Sequence, residues 1–218
     1  MKKRMLWLIV AIVLLGGFGV RLLWQPRPNE LASRGLERLN RAASFRYSIT
    51  EHQLIEGKDR ILTQIQGEKD GGNRHISGHL VGSDVEMILV DNTLYNKDPF
   101  SKKWVRFPNS PGAQDVFLAE IDPLSSLQIK EFGEVVLKGQ EKVNGDKAWV
   151  LAFNPSVQNQ IMEGLWKDFA FTLYVRKSDQ MVVKAIITAK SKDKSEPMSL
   201  TLEFKDFGQK IKIQAPSI

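Results

Sequence analysis

Cysteine is absent from all 218 residues. That absence excludes disulfides, thiolate catalysis, thiolate metal ligands and lipid attachment to an N-terminal cysteine. A domain outside the cytoplasm must then be held by its core alone. Histidine is scarce, with three residues, His52, His75 and His79. His75 and His79 are four apart, but Gly71, Gly72 and Gly78 mark their segment as strand rather than helix. Four strand residues span about 13 Å, too far for one metal ion to bridge. No metal or cofactor is expected.

Several catalytic signatures are missing as well. There is no glycine-rich phosphate cradle followed by Lys-Ser/Thr and no dinucleotide fingerprint. No Gly-x-Ser-x-Gly elbow occurs, and Ser-x-x-Lys is matched only from Ser191 to Lys194, in a polar turn. A carboxylate pair of the glycosidase type needs only to meet in space, so the sequence leaves that alternative open. The expectation is a non-enzymatic protein.

Excess charge is confined to one place. The net charge is +6, yet residues 1–28 hold five cations and no carboxylate, leaving 26 basic against 25 acidic residues in the rest. A nucleic-acid binder needs a basic patch to displace counterions, and the near-neutral remainder gives no reason to expect one. The basic segment reads Lys2-Lys3-Arg4, an apolar or glycine run from Met5 to Val20, then Arg21-Leu22-Leu23-Trp24. Sixteen helical residues span about 24 Å. A bilayer core is about 30 Å thick, so Arg21 must snorkel and Trp24 settle at the interface. Lys2, Lys3 and Arg4 place the N-terminus in the cytoplasm and the remaining chain outside. The alternative is a cleaved signal peptide with secretion of the product, for which Gly17-Phe18-Gly19 is a poor cleavage site.

The chain accordingly divides into an anchor or signal segment at 1–24, a proline-rich spacer at 25–28 and one domain at 29–218. Asn29 reads as the N-cap of an amphipathic helix at 29–43, with Leu31, Ala32, Leu36 and Leu39 on its apolar face. From Phe45 the period becomes two: Phe45, Tyr47 and Ile49 alternate with Arg46, Ser48 and Thr50. Polar, glycine-bearing turns near 57, 71 and 82, and Asp91-Asn92, divide a long antiparallel meander. Short helices are expected at 114–120, 123–132 and 155–166. Between the last two, Asn144-Gly145 marks a type I′ hairpin. Three strands close the chain, near 169–175, 181–189 and 198–204. The fold class is therefore α+β: a single strongly curved antiparallel sheet of about ten or eleven strands, a half-barrel, with the N-terminal helix and short helices on its concave face.

A concave face can be too wide for its own side chains, leaving an apolar cavity under the short helices. Such a cavity suits an acyl chain. The residues expected to line it are Met87, Leu89, Trp104, Phe117, Leu118, Leu124, Leu127, Ile161, Leu165 and Trp166.

The ordered pattern also resembles the lipoprotein-localisation fold, which includes LolA-like carriers and the LppX and LprG lipoproteins. The similar features are the opening helix followed by Ser44-Phe45-Arg46-Tyr47, and Asp91-Asn92-Thr93-Leu94-Tyr95 leading to Lys103-Trp104-Val105. Asp122-Pro123-Leu124, the segment from Gly139 to Lys147, and the ending Phe204-Lys205-Asp206-Phe207-Gly208 are similar too. The resemblance implies a half-barrel holding acyl chains or triacylated lipid. This chain departs from the lipoprotein members in lacking the lipidated cysteine, and from the soluble carriers in its apolar N-terminal segment. The expected function is tethered extracytoplasmic binding of lipid, acyl chain or lipoprotein. The alternative is a sensor domain with a filled core, contacting an envelope protein partner. The other expected contact is with the membrane, through residues 5–24.

Overall fold

The structure is a computed structural model and describes residues 27–107, 122–194 and 196–218. The segment at 1–24 and the helix expected at 114–120 lie outside these residues. The alternation that begins at Ser44 sets the architecture. Six strands follow one another as an antiparallel meander: β1 (Ser44–Ile55), β2 (Lys58–Asp70), β3 (Asn73–Leu80), β4 (Ser83–Val90), β5 (Thr93–Lys97) and β6 (Trp104–Phe107). A 3-10 turn (Ser125–Leu127) and the short β7 (Ile129–Glu131) come next, then the hairpin β8 (Val136–Val143) and β9 (Asp146–Phe153). The chain continues through β10 (Ser156–Val157), a six-residue helix (Gln160–Leu165), β11 (Trp166–Arg176), β12 (Val182–Ser191) and β13 (Pro197–Lys205).

Eleven strands make one open sheet in the order β6-β5-β4-β3-β2-β1-β13-β12-β11-β9-β8, while β7 and β10 form a separate ribbon. Every pairing is antiparallel. The hairpin turn at Asn144-Gly145 has φ of 50° and 90°, the positive pair that a type I′ turn requires. A sheet of this width, with one continuous core on one face, fits strong curvature.

That inner face carries Phe45, Tyr47, Ile49, Ile65, Leu202 and Phe204 near the middle of the sheet. Helix α1 (Pro28–Arg41) covers part of it by burying Leu31, Ala32, Leu36 and Leu39. Each leucine so buried contributes roughly 1.5–3 kcal/mol, an upper bound because the unfolded chain is itself compact. The other face has its own small clusters. In one of them the C-terminal tail lays Ile213 against Ile88, Val90, Tyr95 and Trp104.

Three local expectations change. Helix α1 starts one residue early, at Pro28, and Arg27 rather than Asn29 is its N-cap, with no side-chain cap. Proline fits the first helical position because its fixed φ suits the helix and its missing N–H is not needed there. Asn29 instead donates to Gly133 O at 3.4 Å. The helix expected at 123–132 is a single turn followed by β7. Asp122 Oδ1 accepts from the Leu124 amide at 2.9 Å, but Gln128 is already extended, and the backbone of β7 pairs with β10. The helix expected at 155–166 shortens to Gln160–Leu165, with β10 before it and β11 starting directly at Trp166.

Two glycines are required by this packing. A Cβ at Gly67 would lie 2.1 Å from the ring of Tyr47, its partner across the strands. Gly78 has φ of +144°, and its Cβ would meet Gln64 O at 2.1 Å. Gly67→Ala is therefore expected to cost about 1–3 kcal/mol in denaturant unfolding, the usual penalty of overpacking. In a Tyr47→Ala background the same change should cost little. Equal costs in both backgrounds would contradict the contact.

Candidate functional site

Next to the sheet's centre, the second helix, α2 (Gln160–Leu165), stands over the inner face. Six residues cannot hold a helix unaided, because nucleation is unfavourable and few bonds repay it. Local contacts supply the difference. Asn159 Oδ1 accepts from the amides of Ile161 at 3.0 Å and Met162 at 2.9 Å. Lys130 Nζ pairs with Glu163 at 2.6 Å, and Lys192 Nζ donates to Glu163 O. The Lys192 amide reaches Leu165 O at 3.0 Å. Only Met162 is buried, as the helix's one anchor in the core.

Beneath α2 lies a cavity of about 360 Å³. Ile49 and Ile65 of β1 and β2, and Met198 and Leu200 of β13, form its floor. Ile161, Met162, Leu165 and Trp166 form one wall, and Leu80 and Val81 close the other side. Glu51, Thr63 and Ser126 are among the few polar groups, and Thr63 Oγ1 donates to Glu51 at 2.9 Å. The volume is at the lower end of the range that holds small organic ligands. Elsewhere on the inner face, large rings of the described residues pack together. Phe45 meets Phe204 edge to face at 5.7 Å, and Phe153 packs on Phe171 at the same centroid distance.

Of the residues expected to line a pocket, Ile161, Leu165 and Trp166 do so. Leu124 and Leu127 belong to the core of the same face, as do Met87, fully enclosed, and Leu89. Trp104 is placed elsewhere. It lies opposite Lys97 on β5, on the outer face of the sheet, and packs with Tyr95 and Ile213 while Lys97 Nζ sits 5.6 Å from its ring centre. The strand pairing dictates this, since Ile88 and Tyr95 face each other on that side and Met87 and Leu94 point inward. Phe117 and Leu118 lie outside the described residues. The floor residues were missed because they come from β1, β2 and β13. Alternation puts each of them on an apolar face, but only the pairing of Ile49 with Leu202 and Ile65 brings them together.

A second depression, about 530 Å³, opens on the outer face and is lined chiefly by polar groups. Arg46 in its lining bridges Glu68 at 2.6 Å and Asp206 at 3.1 Å. Nearby, the hydrogen bond from Lys97 holds the Glu86 carboxyl below the usual range, with a smaller contribution from His75. His52, His75 and His79 each face a different carboxylate, Asp59, Glu86 and Asp84. Among the described residues no three potential metal ligands gather. On the inner face, the Tyr47 hydroxyl is buried with no hydrogen-bond partner among those residues. Burial, helped by the charge of Asp122, holds its phenol well above the usual tyrosine range.

Asn159→Ala removes both cap bonds of α2. It should lower stability by about 1 kcal/mol, the usual value of an N-cap. Hydrogen exchange should quicken in the α2 amides while those of β1 and β13 stay protected. Uniform quickening across the sheet would contradict the assignment of α2 as a locally held wall.

Comparison with known proteins places this geometry in a fold. No family model matches the chain, and no curated protein sequence does. Among solved structures, LprF from Mycobacterium bovis superposes with a TM-score of 0.59 at 12% identity, covering 88% of this chain and 98% of LprF. The Mycobacterium tuberculosis lipoprotein LppX gives 0.53 at 10% identity, covering 85% of this chain and 99% of LppX. The chain therefore shares the fold of LprF and LppX, the LppX-like fold that its sequence pattern resembles.

Proposed function

We propose that this protein binds an acyl chain or small lipid in the cavity beneath α2, without catalysing a reaction. It does so while tethered through residues 5–24 to a membrane, with the domain outside. The observation that carries this reading is the cavity itself. Its floor and walls are apolar, its polar groups are few, and side chains at its mouth are exposed. Val81 is 71% exposed and Leu165 59%, yet both also line the cavity. Water in such a space makes few hydrogen bonds, so an apolar ligand gains by replacing it. The fold shared with LprF and LppX supports the reading by supplying the same scaffold. The missing catalytic motifs support the non-enzymatic part.

The filled part of the inner face limits what fits. Among the described residues the rings of Phe45, Phe171 and Phe204 occupy another part of this face, and a cavity of about 360 Å³ suits a single acyl chain. The anchor favours local holding or sensing over shuttling between membranes.

Photo-crosslinking tests the site. Full chain reconstituted in vesicles with a diazirine fatty acid should label residues 159–166 and the β13 segment around Met198 and Leu200. Leu80 is half-buried at the cavity wall, so Leu80→Trp should fill space without disturbing the sheet and reduce labelling at least ten-fold. Labelling confined to the outer face, or undiminished in Leu80→Trp, would remove the cavity from the account. A chain that takes no label but retains one stoichiometric membrane protein would transfer the function to the sensor reading.

A further inference from the structure

The two ends of the large sheet differ in their turns. At one end, β2–β3 turns through Gly71-Gly72, β4–β5 through Asp91-Asn92, β8–β9 through Asn144-Gly145, and β11–β12 through Lys177-Ser178-Asp179-Gln180. All of these residues are polar or glycine. At the other end, the β1–β2 turn (Glu56-Gly57) and the β12–β13 connection (Lys192-Asp193-Lys194) are charged, but the β3–β4 turn is Val81-Gly82 and the β5–β6 loop carries Phe100, 92% exposed. This loop sits beside the β3–β4 turn, with Lys102 Nζ 3.7 Å from Asp84. Helix α2 is at the same end, where Trp166 begins β11 opposite Ser191, the last residue of β12. It exposes Ile161 and Leu165.

Val81 is the informative residue. Its φ is 47°, a left-handed conformation that β-branched side chains rarely adopt. The equivalent first positions of the turns at the opposite end are Asp91, φ 50°, and Asn144, φ 50°, residue types that tolerate it. Folding alone would favour asparagine or glycine at position 81. A strained, exposed valine there is a cost that the packing of the domain does not account for. The lining of the cavity runs continuously into this patch through Val81, Ile161 and Leu165.

The tether says what meets it. Arg21 to Arg27 are seven residues between the apolar segment and the start of α1, and they reach at most about 25 Å. The domain is thus confined close to the bilayer that holds residues 5–24, and one of its ends carries exposed apolar side chains among charged turns that suit lipid headgroups. We propose that this end faces that bilayer, with Val81, Phe100, Ile161 and Leu165 entering its acyl region and the cavity mouth opening directly onto lipid. Lipid then enters sideways from the membrane without crossing water. The inference rests on the tethered lipid-binding reading above and deepens it by giving the site its source of ligand.

A chain free of cysteine allows one label at a time. Val81→Cys, Phe100→Cys and Leu165→Cys place an environment-sensitive fluorophore at the apolar end. Gly72→Cys places one at the other end, where an added Cβ meets nothing within 4 Å. Full-length labelled chain is reconstituted in phosphatidylcholine vesicles, floated on a gradient and read by emission and iodide quenching. The three apolar-end probes should shift to the blue and lose iodide quenching, while the Gly72 probe stays quenched. A blue-shifted Gly72 probe, or three quenched probes at the apolar end, overturns the orientation. Failure of the chain to float refutes the tether, and the orientation with it. Immersed probes in a chain that takes no photo-label uphold the orientation and refute lipid binding in the cavity.

Discussion

The sheet depends on one long-range pairing, that of β1 with β13. Arg46 to Gln53 run antiparallel to Met198 to Lys205, so the first strand of the chain is completed by the last. Without this seam the structure would fall into two sheets, the meander β1–β6 and the group β8, β9, β11, β12 and β13, each with an exposed edge. The side chains at the seam are among the best buried in the molecule. Phe45 and Phe204 are each 1% exposed, and Leu202 is fully enclosed. Further contacts lock the same region: Arg46 pairs with Asp206, and Ser44 Oγ donates to Gln209 O at 2.7 Å. Lys69, buried beside Phe45, donates to Ala42 O at 2.5 Å and ties the end of α1 to β2. Contacts so distant in sequence form slowly, since the loop between them must close before they contribute.

The cavity is placed by the same seam. Towards one end, where Phe45, Tyr47 and Phe204 lie, large rings fill the inner face. Towards the other, the seam continues with Ile49, Leu200 and Met198, smaller or more flexible residues that leave space. α2 roofs that space through a cap and a few polar contacts instead of a deep apolar face. A firm floor under a weakly held wall suits a site that admits a flexible ligand. Opening the wall would leave the seam intact.

Much of this was legible in the sequence. Period-two alternation from Phe45 gave the strands, Asn144-Gly145 gave the hairpin, and the apolar face of α1 gave its packing side. Apolar residues at helical spacing marked short helical segments within 123–132 and 155–166. The boundaries of those helices did not follow. Leu124 and Leu127 have helical spacing, yet β7 takes the next residues because β10 supplies its hydrogen bonds, pairing Glu131 with Ser156 and Ile129 with Val157, which local pattern does not reveal. Trp104 illustrates the same limit at the site. Its apolar bulk suggested a cavity wall, but its face is set by the parity of its pairing with Lys97, and a one-residue difference in register exchanges the two faces. Ile161, Leu165 and Trp166 were legible because they share one local element. Ile49, Ile65, Met198 and Leu200 meet only through the closing pairing.

The central claim is that the space beneath α2 is a binding site and not a packing defect. Native mass spectrometry of the full chain, released from its own membrane without added lipid, tests this most directly. The account predicts a discrete added mass of one acyl-containing molecule per chain. It also predicts loss of that mass when Leu80→Trp occupies the space. A chain that emerges at its bare mass from native membranes, with Leu80→Trp indistinguishable from it, would contradict the claim.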